Sequence, residues 1–266
     1  MDIALVGPGR AGTAVARALV DAGHRVISVA GRTPDAESAQ IAADRFDARI
    51  EPVQSVGRGA ALVLIATPDD AIGATASAVA QSLEPDALVM HVAGALGLAP
   101  FLPLVETRPD VQVGALHPLQ TLPTPDTPLA GAWAAVAGPP LVTELARELG
   151  MHPFAVADDH RAMYHAAAVI ASNHVVALLG QVERLADAAG VPFAAFEPLT
   201  RSAVEHSFDV GPAAALTGPV ARGDVATVRG HLDAIPDDER RSYRALADAA
   251  HRLTGRNDTS LREALA

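Results

Sequence analysis

Over its first part the chain alternates short apolar runs with amphipathic stretches. Residues 3–6 are apolar without interruption, the pattern of a strand buried on both faces. Residues 13–20 follow with good helix formers and an apolar rhythm of helical period. The alternation then repeats. Strands are predicted over 24–30, 60–66, 87–93 and 111–116, and helices over 35–48 and 71–83. Short strands over 133–136 and 152–156 flank a helix over 141–149. The Pro-rich segment 119–129 suits neither a regular helix nor a central strand. Strands alternating with helices imply right-handed crossovers and a parallel sheet, with ligands beyond the carboxyl ends of its strands.

From residue 159 the strand patterns stop. Helices are predicted over 161–185, 198–208, 225–234 and 237–253, with Asp224 as an N-cap and Gly211-Pro212 as a break. The tail from residue 255 has no evident role. The helix over 161–185 is so apolar that it should be largely buried, in part in a subunit interface. Polar residues within it then need partners or a ligand.

Between the first run and the first helix stand Gly7-Pro8-Gly9-Arg10-Ala11-Gly12, which spell G-x-G-x-x-G. Strand, glycine turn and helix occur in the order of a dinucleotide-binding unit. Gly7 suits the tight turn, Gly9 lets a pyrophosphate approach the backbone, and Gly12 lets the helix pack close to the strand. The free N–H groups of the first helical turn, around Arg10 and Ala11, suit phosphate charge. At the end of the second strand an NAD site carries an acidic residue for the ribose hydroxyl. This chain has Gly31-Arg32-Thr33, which favours the 2′-phosphate of NADP. The Thr67-Pro68 turn and the turn at 92–94 are expected to border the cofactor.

The candidate chemistry lies further on. His117-Pro118 follows a strand, where a histidine can donate a proton or hold a substrate. On a regular α-helix Ser172 falls about 20° from His165 and Asn173 about 80° away, so all three can border one cleft. Either His165 or His117 is the expected proton donor, with Asn173 and Ser172 holding the carbonyl or hydroxyl. Arg222, ahead of a helix N-terminus, is a candidate to hold a substrate carboxylate or a cofactor phosphate, with the carboxylate favoured. The ten histidines include no H-E-x-x-H and no H-x-x-x-H pair, and there is no cysteine. No metal site is therefore expected.

Composition narrows the classes. The 266 residues are half hydrophobic but only 3% aromatic, so the core must be built from Ala, Val and Leu. A formal net charge of −11 argues against nucleic acid as a partner. The lack of cysteine excludes disulfides and fits a cytoplasmic protein. No apolar run is expected to reach the roughly 18 residues of a membrane span, and the N-terminus enters the first strand directly, so no membrane partner is expected.

Four motifs together are similar to a bacterial two-domain family. They are G-P-G-R-A-G at residue 7, G-A-L-H-P near residue 115, Y-H-A-A-A-V-I-A-S-N from Tyr164, and L-T-G-P-V-A-R-G-D from Leu216. That family joins a Rossmann-like domain to a helical domain of unknown function, and resembles a branch of the β-hydroxyacid dehydrogenases. The resemblance implies an α/β fold. A Rossmann-type NADP-binding domain over 1–157 is followed by an all-α domain over 158–266, similar to the C-terminal domain of 6-phosphogluconate dehydrogenase. It implies an NADP-dependent oxidoreductase that reduces a small carboxylate-bearing ketone or imine in a cleft between the domains, with ketopantoate reductase as the nearest type. It also implies a homodimer formed through the helical domain. In hydroxyacid members a lysine precedes the equivalent of Asn173 by four residues; here that position is Val169, and His165 stands one turn earlier. The His117-Pro118 pair is similar to that of prephenate dehydrogenases. The alternatives are a prephenate dehydrogenase-like or deazaflavin-linked enzyme, or a non-catalytic NADP sensor.

Overall fold

The computed structural model describes residues 1–266. Chain contacts divide it into two compact units, Met1–Ser172 and Asn173–Ala266. The division falls inside the long helical stretch that opens the second half of the sequence, so the first turns of that stretch belong with the sheet.

The first unit is built on eight strands: β1 (Asp2–Val6), β2 (Arg25–Ala30), β3 (Arg49–Ile50), β4 (Leu62–Ile65), β5 (Leu88–His91), β6 (Gln112–Leu119), β7 (Trp133–Ala137) and β8 (His152–Ala155). Their order across the sheet is 3-2-1-4-5-6-7-8, and all neighbours are parallel except β6 and β7. The order reverses between β1 and β4, which places the topological switch point at the ends of those two strands.

The apolar runs seen in the sequence are buried on both faces. Ile3 and Leu5 enter one core layer with Val15 and Leu19 of α1 (Arg10–Asp21) and Ala39 of α2 (Glu37–Phe46). Ala4 and Val6 enter the opposite layer with Ile72 and Val79 of α3 (Ile72–Val79) and Leu104 of α4 (Leu102–Thr107). Alternate side chains of one strand serve two layers, as the period of two requires. α5 (Pro140–Glu148) covers the first layer beside β7 and β8.

Several expectations need correction. The first helix starts at Arg10, inside the glycine motif. β3 and α4 had no counterpart in the sequence reading; β3 is only two exposed residues. The strand expected to stop at 116 runs on to Leu119, because antiparallel pairing with β7 continues through His117↔Ala135 and Pro118↔Ala134. β5 ends opposite Ala115, so Pro118 has no neighbour on that side needing its missing N–H.

The long apolar stretch is α6 (Arg161–Val169), a π turn (Ile170–His174) and α7 (Val175–Ala188). It is not buried in the chain: Met163, Ile170 and Val176 are well exposed. Over Asp158–Ala188 it is also long and apolar enough to cross a membrane by length and composition, contrary to the expectation that no such stretch exists. The first turns are instead fastened to the sheet, as the site below shows.

The second unit continues with α8 (Glu197–Val210), α9 (Pro212–Ala215), α10 (Gly218–Arg222), α11 (Val225–Ala234), α12 (Asp237–Leu253) and α13 (Thr259–Leu265). Asp224 caps α11, accepting from the Thr227 N–H at 3.0 Å. The tail does have a role: Leu261 and Leu265 of α13 are buried against Val220, Val228 and Leu232. Gln181 and Arg184 of α7 bond Glu239 of α12. α8 buries no residue, and its Leu199 and Phe208 are open to solvent.

Candidate functional site

The glycine turn is built as its spacing implies. Gly7 has φ +82° and lies so near the end of β4 that a Cβ would meet the Ala66 carbonyl at 2.7 Å. Only glycine fits there. A Cβ on Gly12 would meet the Gly7 oxygen at 2.6 Å and the Ala66 methyl at 2.7 Å, so helix and strand are in backbone contact. A Cβ on Gly9 would meet nothing within 4 Å. The turn is thus closed behind Gly7 and Gly12 and open in front of Gly9. Gly9 is the N-cap of α1 and supplies no side-chain cap, and the first turn holds no acidic residue. The N–H groups around Arg10, Ala11 and Gly12 therefore face outward with the positive end of the helix dipole. Thr67 Oγ1 is buried without a hydrogen-bond partner beside this turn, and Pro68 follows it exposed. An open cradle, an uncapped helix start and an orphaned hydroxyl at the switch point fit a dinucleotide pyrophosphate.

The ribose end is more mixed than the sequence implied. Arg32 and Thr33 are exposed beyond β2, with Gly31 tight against Ala39. The Thr33 side chain bonds the Asp35 carboxylate and holds its pKa below the usual value. One arginine and one carboxylate therefore share this edge.

At the end of β5 a second constellation begins, all of it within the first unit. His91 is buried; its Nε2 donates to the Gly97 carbonyl at 2.8 Å, and its Nδ1 accepts from the Ala93 N–H at 3.2 Å. Both nitrogens are satisfied by a neutral ring, and burial lowers its pKa accordingly. His91 thus folds the turn 92–97 back over the strand ends. That turn lays Gly94 on two other histidines: a Cβ there would meet His165 Cδ2 at 2.6 Å and His117 Nε2 at 2.7 Å.

His117 and His165 stand with ring centroids 5.8 Å apart, edge to face. The Tyr164 hydroxyl lies 2.7 Å from His117 Nδ1. Burial, reinforced by His165, Arg161 and His91, lowers the His117 pKa to about 4. The ring is therefore neutral at ordinary pH, and any proton it donates leaves from a neutral imidazole. What it offers is a hydrogen-bonded line from Nε2 through Nδ1 to the Tyr164 hydroxyl. Burial raises the Tyr164 pKa, so that hydroxyl keeps its proton.

Ser172 donates to the Ala168 carbonyl at 2.7 Å. Asn173 is exposed and opens the second unit. Both lie in the π turn, which changes the helical register, so angles reckoned for a regular α-helix do not hold there. Arg222 is exposed at the end of α10. Tyr164 and Arg161 join this site beyond the residues expected from the sequence; the adjacent Tyr164-His165 pair opening a very apolar helix was the available signal.

A doubly wound parallel sheet with an open glycine turn at its switch point defines a dinucleotide-binding fold. Residues 1–118 match the family model of a Rossmann-like domain, and residues 134–250 match that of a domain of unknown function, DUF2520. The two matches follow one another along the chain, the first on the sheet and the second running from β7 into the helical part. No curated protein matches it. Among solved structures it is similar to a candidate NADP oxidoreductase from Bacteroides fragilis, with a TM-score of 0.81 and 23% identity over 94% of this chain and 98% of that one. It is also similar to an imine reductase from Myxococcus stipitatus in complex with NADP+, with a TM-score of 0.65 and 18% identity over 98% and 97%. A reductive aminase from Aspergillus terreus, in complex with NADPH and ethyl levulinate, gives a TM-score of 0.67 and 16% identity over 98% and 97%. At these identities the likeness is one of fold.

Proposed function

We propose that the protein is an NADP-dependent oxidoreductase acting on a small carbonyl or imine substrate that bears a carboxylate. One observation carries this reading. The open glycine turn and the His117–Tyr164 pair lie along the same carboxyl edge of one sheet, from β1 across β4 and β5 to β6. Three strand spacings of about 4.8 Å separate β1 from β6, a span suited to an extended dinucleotide. The fold it shares with nicotinamide-dependent enzymes supports the reading.

A bound nicotinamide supplies hydride transfer. The chain's own residues bind, orient and manage the proton. Gly9, with the N–H groups around Arg10, Ala11 and Gly12, holds the pyrophosphate. Thr67 gives it a hydroxyl, and Arg32 takes the 2′-phosphate. The His117–Tyr164 pair hydrogen-bonds the substrate oxygen or nitrogen and passes a proton to it. His165 forms one wall of that position, and Gly94 leaves it room. The ketopantoate reductase type of substrate, a short 2-oxo acid, is the leading candidate because it carries a carboxylate beside the reacting carbonyl.

The test is NADPH consumption with a panel of 2-oxo acids and cyclic imines, followed by nicotinamide absorbance. Turnover that falls on changing His117 or Tyr164 supports the reading. NADPH binding without turnover of any carbonyl or imine would favour a sensor.

We further propose that two copies pair through the exposed faces of α7 and α8, in a cytoplasmic setting. Val176, Leu199 and Phe208 are 70%, 68% and 88% exposed, which is unusual for apolar side chains on two neighbouring helices of a chain with so small a second core. Light scattering should give twice the chain mass, and Phe208→Arg should shift it toward the monomer.

A further inference from the structure

One side chain at the site is left without a partner. Arg161, the first residue of α6, is 1% exposed, and its Nε, Nη1 and Nη2 are all buried with no hydrogen bond. An arginine in such a place normally has a carboxylate or carbonyl on its fork. Asp158 is the acidic residue whose charge reaches it, but makes no hydrogen bond to it; its carboxylate lies against Gly97. The charge of Arg161 is felt at His91, His117 and Tyr164, so the guanidinium belongs to the same constellation. Leaving it unpaired is costly to the fold, and the cost is recovered when an anion arrives.

We propose that Arg161 is the anchor for the anionic end of the ligand, taking a carboxylate on its two-pronged guanidinium beside His117 and Tyr164. The proposal deepens the oxidoreductase reading, on which it rests for the reacting group alone. Arg161 is buried, with a planar fork of five donors unpaired and its charge felt by the proton-handling pair, whereas Arg222 is exposed at the end of α10. Its place also sets selectivity. A substrate whose carboxylate sits on Arg161 presents the neighbouring carbonyl to Tyr164 and His117, whereas a ketone without a carboxylate leaves the guanidinium unpaired and is rejected.

The experiment uses oxalate as the probe, with the full chain in the presence of NADP+. Arg161→Met removes the charge at similar length, and Arg161→Lys keeps the charge but loses the fork. Oxalate should raise the thermal midpoint of the wild type. It should bind about 100-fold more weakly to R161M and at an intermediate level to R161K. Without oxalate, R161M should melt about 3 °C or more above the wild type, since an uncompensated buried charge is gone. NADPH affinity should stay within about two-fold, which separates a substrate carboxylate from a cofactor phosphate as the anion bound. Equal stabilisation of wild type and R161M by oxalate, or none of either, would overturn the proposal. So would an R161M that unfolds earlier or fails to fold, because the arginine would then be structural. An oxalate response that vanishes in R161M, with no carbonyl turned over by the wild type, leaves the anchor standing and removes the oxidoreductase reading.

Discussion

The Tyr164 hydroxyl, on the first turns of α6, reaches His117 Nδ1 on β6 at 2.7 Å. The bond ties the helical stretch to the sheet and puts two proton-carrying groups in series. Because His117 is neutral at ordinary pH, the proton it passes must be replaced through Tyr164. Tyr164→Phe should therefore lower turnover about 100-fold with little change in NADPH affinity. Steady-state rates with nicotinamide fluorescence titrations check this. An unchanged kcat would take Tyr164 out of the proton path.

His117 also makes stability depend on pH in a stated direction. Its folded pKa of about 4 lies below the ordinary histidine value of 6.5. Between these values the unfolded chain binds more protons than the folded one, so stability is fully present above about pH 6.5 and is lost as pH falls toward 4. The loss from this one group is on the order of 3 kcal/mol. His91, also buried with a lowered pKa, acts in the same direction. Urea melts at several pH values should show the slope, and His117→Gln should flatten it.

The three fingerprint glycines should separate by experiment. Gly9→Ala places a methyl in open space, so the thermal midpoint should hold while NADPH affinity falls. Gly12→Ala drives a methyl into the Gly7 carbonyl and the Ala66 side chain, and should cost about 1–3 kcal/mol of stability. Thermal melts with nucleotide titrations on both variants check the contrast. Equal loss of stability in the two would mean that the turn is a structural feature alone.

Asp35, bonded to Thr33, sets a negative charge beside Arg32. Removing it should favour a 2′-phosphate. Asp35→Asn is expected to tighten NADPH several-fold relative to NADH, and Arg32→Ala to do the reverse by about ten-fold. Paired titrations with the two cofactors read both effects.

The sheet was legible because its strands are buried on both faces, and such strands announce themselves as unbroken apolar runs. The glycine turn was legible because each glycine has a steric reason. β3 was not, since two exposed residues carry no pattern. The span of β6 was cut short because a proline reads as a stop, whereas the early end of β5 makes Pro118 tolerable. The placing of Ser172 and Asn173 on one face with His165 assumed 3.6 residues per turn, and nothing in residues 170–174 signals the π turn. Arg161 escaped notice because an arginine at a helix start usually reads as solvated; its burial follows from how residues 158–161 fold against turn 92–97, a tertiary fact. The tail did carry a legible signal: Asp258 as a cap three residues before Leu261, with Leu265 one turn on.

Residues 7–12, Arg32 and Thr67 are proposed to form an NADP site. Its most direct test is titration of the wild-type protein with NADPH and then NADH, followed by nicotinamide fluorescence. Saturable binding is expected, with NADPH the tighter of the two. Absence of binding by either cofactor would contradict it.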